Sequence, residues 1–169
     1  MPGVGSFQSA QKILSSNSEA ILEDIQDRKM PVLGVCLGMQ LMFEKSEEGD
    51  GTGLSLFKGG VIRLPKEPNL KIPHMGWNRL ELEDPRTEFT SSLSPGEWAY
   101  FVHSFYPKPR DTKYVKAWTQ YGKQRFPSII QKENIFGTQF HPEKSSKTGF
   151  RLLSSFVETV ILNSGDSKK

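Results

Sequence analysis

From Ser6 to Lys29 the apolar residues Phe7, Ala10, Ile13, Leu14, Ile21, Leu22 and Ile25 recur at mostly helical spacing, which predicts one amphipathic helix lying on a sheet. Pro31 ends it, because a proline ring cannot continue a helix. Val32-Leu33-Gly34-Val35 follows as a short unbroken apolar run, the pattern of a strand buried on both faces in a parallel sheet. Helical spacing returns from Gly38 to Glu44 with Met39, Leu41, Met42 and Phe43, and the polar, Gly-rich stretch Ser46 to Gly53 reads as a loop. Cys36 therefore falls where a buried strand turns tightly into a helix.

Between Leu54 and Gln139 the pattern changes to short β-rich runs broken by Pro and Gly. The runs are Val61 to Leu64, Asn78 to Leu82, Trp98 to Tyr106, Val115 to Tyr121, Ser128 to Gln131 and Ile135 to Phe140. They predict a mixed sheet with an antiparallel portion, hence an α/β class. Thr148 to Leu162 carries Phe150, Leu152, Leu153, Phe156, Val157, Val160 and Ile161 as an amphipathic closing helix. Asn163 to Lys169 is polar, so residues 1–163 are expected to form one domain and residues 164–169 a disordered tail. There is no internal repeat and no low-complexity segment.

Composition narrows the picture without changing it. A chain of 169 residues fits one domain. The 22 basic and 19 acidic residues are scattered, too weak a balance to imply nucleic acid. The longest charge-free apolar stretch, Pro31 to Phe43, is too short for a membrane helix. Met1-Pro2-Gly3-Val4-Gly5 offers neither a basic nor an apolar leader region; the chain opens on a Gly-rich loop with no strand before it. The single cysteine excludes an internal disulfide and a Cys-based zinc site, and it favours a reducing, cytoplasmic compartment.

That cysteine sits in Gly34-Val35-Cys36-Leu37-Gly38, the spacing of a nucleophile elbow. In such a turn the central residue is held on a strained backbone, and glycines two positions to either side let strand and helix approach closely. The N-terminus of the following helix would favour the thiolate. The Leu37 N–H could donate to a developing oxyanion. The same pattern also fits a small buried apolar residue, the commoner state of a lone cysteine.

A thiolate nucleophile needs a proton shuttle. His141 stands in Gln139-Phe140-His141-Pro142-Glu143, where extended backbone, favoured by Pro142, would put His141 and Glu143 on one side. Glu143 could then orient the imidazole, completing a Cys36–His141–Glu143 triad. By itself, H-P-E also fits a surface turn. A zinc deaminase shares H-x-E but needs a downstream P-C-x-x-C, and no cysteine follows Cys36. His103, inside the aromatic run Tyr100 to Tyr106, reads as a hydrogen-bonded structural histidine. His74, in Ile72-Pro73-His74-Met75-Gly76-Trp77-Asn78, belongs either to a packed core or to a docking surface.

Taken together, Gly34 to Gln40 (GVCLGMQ) and Gln139 to Glu143 (QFHPE) resemble the class I, triad-type glutamine amidotransferases. More narrowly, Pro2 to Phe7 (PGVGSF), Cys36 to Phe43 (CLGMQLMF), Ile72 to Asn78 (IPHMGWN), Tyr100 to Ser104 (YFVHS) and Gln139 to Ser145 (QFHPEKS) are similar to the glutaminase subunits of imidazole glycerol phosphate synthases. The resemblance implies a three-layer, flavodoxin-like α/β fold with a mixed, mainly parallel sheet. It also implies glutamine hydrolysis without a cofactor, by Cys36, His141 and Glu143. Leu37 and the Gly3-Val4-Gly5 loop would bind the oxyanion, and Gln40, Ser104 and Phe105 the rest of the substrate.

The implied partner is a (βα)8-barrel cyclase, in a heterodimer faced by Met75, Trp77, Asn78 and Lys144. Ammonia channelled to it would yield imidazole glycerol phosphate and an aminoimidazole carboxamide ribotide, for histidine biosynthesis. The family pattern places a strand, a helix and a second strand ahead of P-G-V-G, so on this resemblance the chain reads as N-terminally truncated. That opens a second reading, a catalytically impaired or non-catalytic binding subunit of the same complex. A third, a cysteine hydrolase of peptides or esters, fits the triad but leaves I-P-H-M-G-W-N unexplained.

Overall fold

A computed structural model of the chain describes residues 1–3, 5–68, 70–84 and 86–165. In chain order the elements are β1 (Pro2–Gly3), α1 (Phe7–Ser15), α2 (Ser18–Gln26), β2 (Val32–Cys36), α3 (Leu37–Gln40), β3 (Lys45–Ser46), β4 (Gly49–Thr52), β5 (Gly59–Arg63), β6 (His74–Arg79) and β7 (Glu81–Leu82). There follow β8 (Trp98–His103), β9 (Phe105–Pro109), β10 (Val115–Tyr121), β11 (Gln124–Lys132), β12 (Ile135–Thr138) and α4 (Ser146–Gly165).

The main sheet has the order β1-β2-β12-β11-β10-β7. Its parallel part is confined to β1, β2 and β12, and the remaining pairs are antiparallel. A second sheet, β4-β3-β5-β9, and a two-stranded ribbon, β6-β8, pack around it. Apolar clusters lie on both faces. Ile129 and Ile130, neighbours on β11, point to opposite sides and enter different clusters. One cluster holds Phe7, Met39, Phe43 and Phe57, and the other Phe89, Phe101, Phe136 and Phe140. Because β2 and β12 are adjacent and parallel, with Val35 opposite Thr138, Cys36 and the residues just after β12 reach the same end of the sheet.

Several elements differ from the sequence pattern. The expected helix from Ser6 to Lys29 is two helices. The Ser15 and Ser18 hydroxyls bond the carbonyls of Lys12 and Ser15, competing with the helical ladder, and Asn17 leaves helical geometry. The expected helix from Gly38 to Glu44 is one turn, α3. The carbonyls that would extend it, Leu41 and Met42, instead accept from Leu54 and Phe57. The expected loop Ser46 to Gly53 holds most of the β3–β4 hairpin.

The run Trp98 to Tyr106 divides at Ser104, whose carbonyl accepts from Leu64, so that β8 joins the ribbon and β9 the second sheet. The expected strand Asn78 to Leu82 splits likewise between β6 and β7. Pro2–Gly3, expected as loop, is an edge strand in parallel register with Val35 and Cys36. The closing helix runs on to Gly165, through the first residues of the expected tail; residues 166–169 of that tail lie outside the described residues. Among the described residues no helix is long and apolar enough to cross a membrane.

Candidate active site

Cys36 ends β2 with φ 52° and ψ −109°, a backbone geometry that L-residues rarely adopt. The surrounding structure imposes it. A Cβ on Gly34 would stand 2.7 Å from the backbone of Gly38 and Met39, and one on Gly38 would stand 1.8 Å from the Met1 carbonyl oxygen. The two glycines thus let strand, turn and helix approach as the elbow spacing requires. Pairing of the N-terminus also holds the corner: the Met1 ammonium donates to Leu33 O at 2.6 Å, and Val35 N–H donates to Met1 O.

The sulfur faces a cavity of about 320 Å³, which Leu37, Gln40, Ser104, Phe105 and His141 also line. Gly5 reaches it with φ +121°, while Val4, expected beside it as an oxyanion residue, lies outside the described residues. His141 is buried, and its Nδ1 lies 2.8 Å from Glu143 Oε1. The contact is the expected one, made on a different backbone. Only His141 is extended; Pro142–Lys144 form a 3-10 turn closed by Lys144 N–H to His141 O. Glu143 remains half-exposed.

The thiol is not in its reactive form. It donates to Val102 O at 3.8 Å, and Gln139 Nε2 lies 3.6 Å from the sulfur. Burial, with the carboxylates of Glu143 and Glu48 adding to it, pushes the Cys36 thiol up to about 11, against the pull of the Leu37 N–H and Gln139. The expected lowering at the helix N-terminus is thus present in the Leu37 N–H but outweighed. A single four-residue turn supplies little dipole, and dehydration of the sulfur outweighs it.

Two residues were missed from sequence. Glu48 lines the cavity and accepts from Phe7 N–H at 2.7 Å, but it falls in the stretch read as a loop, where nothing marked it. Gln139 is fully buried, and its signal was available: a polar residue in the apolar run Ile135 to Phe140, two positions before His141. Gln40 Nε2 bonds both Phe105 O, at 2.8 Å, and Gln139 Oε1, at 3.2 Å, so of its amide only Oε1 stays uncommitted.

The residues expected to face a partner lie mainly on β6. Register pairs Met75 with Val102 and Trp77 with Tyr100, and Met75 and Trp77 are 62% and 49% exposed. Asn78 is half-buried and turned inward. The turn carrying exposed Lys144 is tied to β8 by Tyr100 N–H to Ser145 Oγ and His141 N–H to Tyr100 O. Trp98, 46% exposed beneath the Arg79 guanidinium, extends the same face. Among the described residues no group of three or more His, Cys, Asp or Glu side chains could hold a metal ion.

Known proteins fit this arrangement. The family described as glutamine amidotransferase class-I matches residues 1–159. An imidazole glycerol phosphate synthase subunit HisH from Trichodesmium erythraeum is 43% identical over 162 residues, covering 95% of this chain and 76% of the relative. Another, from Thermosynechococcus vestitus, is 44% identical over 161 residues, covering 95% and 77%. Among solved structures, a glutamine amidotransferase from Thermotoga maritima superposes with a TM-score of 0.58 at 18% identity, covering 96% of this chain and 63% of that one, a likeness of fold alone. With the elbow, the cavity and these relatives in agreement, the chain belongs to the class-I glutamine amidotransferases, in the branch formed by the HisH subunits of imidazole glycerol phosphate synthase.

Proposed function

We propose that this chain hydrolyses the side-chain amide of glutamine with Cys36, His141 and Glu143, and passes the ammonia to a (βα)8-barrel cyclase docked on the Met75–Trp77 face. The observation that carries the reading is the shared cavity: a strained, buried thiol and a carboxylate-oriented imidazole open onto one space of about 320 Å³. Glu143 holds Nδ1 of His141, which leaves Nε2 to take the thiol proton. The sulfur attacks the amide carbon, and Leu37 N–H, with a donor from the Gly3–Gly5 loop, receives the oxyanion. His141 returns the proton to the departing nitrogen; ammonia leaves, and a glutamyl thioester remains on Cys36. Water, deprotonated by the same imidazole, releases glutamate.

At the other end of the cavity, Gln40 Oε1 and the Glu48 carboxylate are available to the amino-acid end of glutamine, and the Ser104 and Phe105 backbone to its chain. The thiol, pushed up to about 11 and bonded to Val102 O, describes a resting site. Docking of the partner on the ribbon then has a physical task, since Val102 lies opposite Met75 in register and its carbonyl is the thiol's acceptor. A free thiol nucleophile suits a reducing cytoplasm.

The test is Cys36→Ala assayed with the cyclase present. Glutamate release is expected to vanish while the complex still forms, and undiminished release by the variant defeats the reading. A glutamine-analogue electrophile separates the second reading. Labelling at Cys36 marks an enzyme, and docking without labelling marks a non-catalytic binding protein.

A further inference from the structure

A buried chain of hydrogen bonds runs from the ribbon to the sulfur, and the triad chemistry does not use it. His74 and His103 lie directly opposite each other on β6 and β8, 2% and 5% exposed, with His74 Nδ1 3.0 Å from His103 Nε2. His74 is clamped between the Phe101 and Tyr121 rings, at centroid distances of 4.9 and 3.9 Å. On its outer side Asn78 Nδ2 lies 3.3 Å from His74 Nε2. On the inner side His103 Nδ1 lies 2.9 Å from Phe105 O, the carbonyl that also accepts from Gln40.

The polarity of this chain follows from its ends. The Asn78 amide is oriented twice over: its Oδ1 accepts from Arg79 N–H and its Nδ2 donates to Gln120 O. Its second amide proton therefore points at His74 Nε2, which must be the acceptor. The His74 proton is then on Nδ1 and donates to His103 Nε2. His103 in turn carries its proton on Nδ1, aimed at a carbonyl that can only accept. A further proton on either ring would set two N–H groups head to head. Burial, the main cause in both, holds His74 down to about 4 and His103 to about 3, so both rings are neutral near pH 7, as the chain requires.

At Phe105 O two runs of donation meet, one from Asn78 through the histidines and one from Gln40, and from Gln40 a further run leads toward the sulfur. Both acceptor sites of that carbonyl are filled, by His103 and by Gln40. Gln40 is thereby oriented to give its other amide proton to Gln139 Oε1, and Gln139 is left with its NH2 toward the Cys36 sulfur. We propose that His74 and His103 are positioning residues for the nucleophile: a tautomer-locked histidine pair that sets the Phe105 carbonyl and, through Gln40 and Gln139, the amide donor facing Cys36. The proposal rests on the reading of Cys36 as the nucleophile, and it gives the strand beneath Trp77 a hydrogen-bonded connection to the sulfur.

Two experiments decide it. In nitrogen-resolved NMR of the native chain, both rings are expected to stay neutral with the proton on Nδ1 from about pH 6 to about pH 8, across the range where a free histidine titrates. A charged ring, or an Nε2-protonated tautomer at either position, overturns the proposal without any variant being made. The second experiment compares His103→Asn with His103→Gln. Asparagine keeps an amide donor where Nδ1 was; glutamine keeps an acceptor for His74 but leaves Phe105 O with Gln40 as its one remaining donor. Alkylation of Cys36 by iodoacetamide is expected to slow about tenfold in the Gln variant and to stay within about twofold in the Asn variant, the scale of one hydrogen bond to a charged sulfur.

With the cyclase present, kcat for glutamine is expected to follow the same order while KM changes by less than about twofold. A packing role alone predicts that Gln, nearer to histidine in length, is the milder change, and that order or equal rates overturns the proposal. Should the alkylation order hold while the complex releases no ammonia from glutamine, the glutaminase reading fails and the positioning role stands. Ammonia release without that order removes the positioning role alone.

Discussion

The corner at Cys36 and the ribbon of β6 and β8 both carry candidate functional residues, and they present them in opposite ways. At the corner the candidate nucleophile is 8% exposed and its backbone is constrained: Cys36 has a positive φ, and a Cβ on either flanking glycine would strike the turn or Met1. On the ribbon the large apolar side chains Met75, Trp77 and Trp98 face outward, held only by strand alternation, while His74, Phe101 and His103 face inward from the same two strands. The corner is over-determined, so a single Cβ breaks it. The ribbon is determined by a period of two, so its outer face can change while its inner face keeps the fold. The corner tolerates little change, whereas substitution on the outer face of the ribbon costs the monomer least.

Gly34→Ala should break the comparison most severely. Its Cβ would meet peptide atoms of Gly38 and Met39 at 2.7 Å, and backbone cannot give way as a flexible side chain does. A loss of about 3 kcal/mol in urea unfolding is expected, together with loss of Cys36 labelling. A loss below about 1 kcal/mol would show that the corner opens more easily than its contacts imply. Next in size is the strain at the nucleophile itself. Cys36→Gly is expected to be more stable than Cys36→Ala by about 1–2 kcal/mol, because only glycine relaxes at φ 52°, though neither variant can turn over glutamine. Equal stability of the two would mean that the backbone readjusts once the thiol is gone.

The smallest effect is expected on the ribbon. Trp77→Ala should change the stability of the isolated chain by less than about 0.5 kcal/mol, since half the side chain is already in water. Binding to the cyclase, measured by titration calorimetry, is expected to weaken at least about tenfold. A monomer destabilised by more than about 2 kcal/mol would mean that Trp77 is a core residue and would erase the contrast.

Much of the site was legible in one dimension because it is built from local geometry. G-x-C-x-G specified the elbow, and the structure supplies the reasons as two backbone contacts. H-P-E specified the imidazole–carboxylate contact, although a 3-10 turn rather than an extended segment delivers it. What stayed illegible depends on distant partners. Glu48 enters the cavity only because β3 and β4 fold back as a hairpin, and its carboxylate is fixed by the Phe7 amide, far away in sequence. The helix after Cys36 stops after one turn because the carbonyls of the next residues, Leu41 and Met42, are captured by the amides of Leu54 and Phe57, a competition that periodicity cannot register. The His74–His103 pair was invisible for the same reason. His103 suggests a strand interior and His74 either a packed core or a docking surface, but only the register of β6 against β8 sets them face to face.

By itself, then, the sequence determined the family, the elbow at Cys36, and the imidazole with its carboxylate, since each is carried by residues a few positions apart whose backbone geometry is local. Tertiary structure decided how readily the Cys36 thiol gives up its proton. Burial among strands from across the chain pushes the thiol up to about 11, overriding the helix terminus that local reasoning credited with lowering it. It also decided that His74 and His103 pair in the interior while His141 meets Glu143 at the cavity, because solvent exclusion and hydrogen-bond direction are properties of the assembled interior and no single segment contains them.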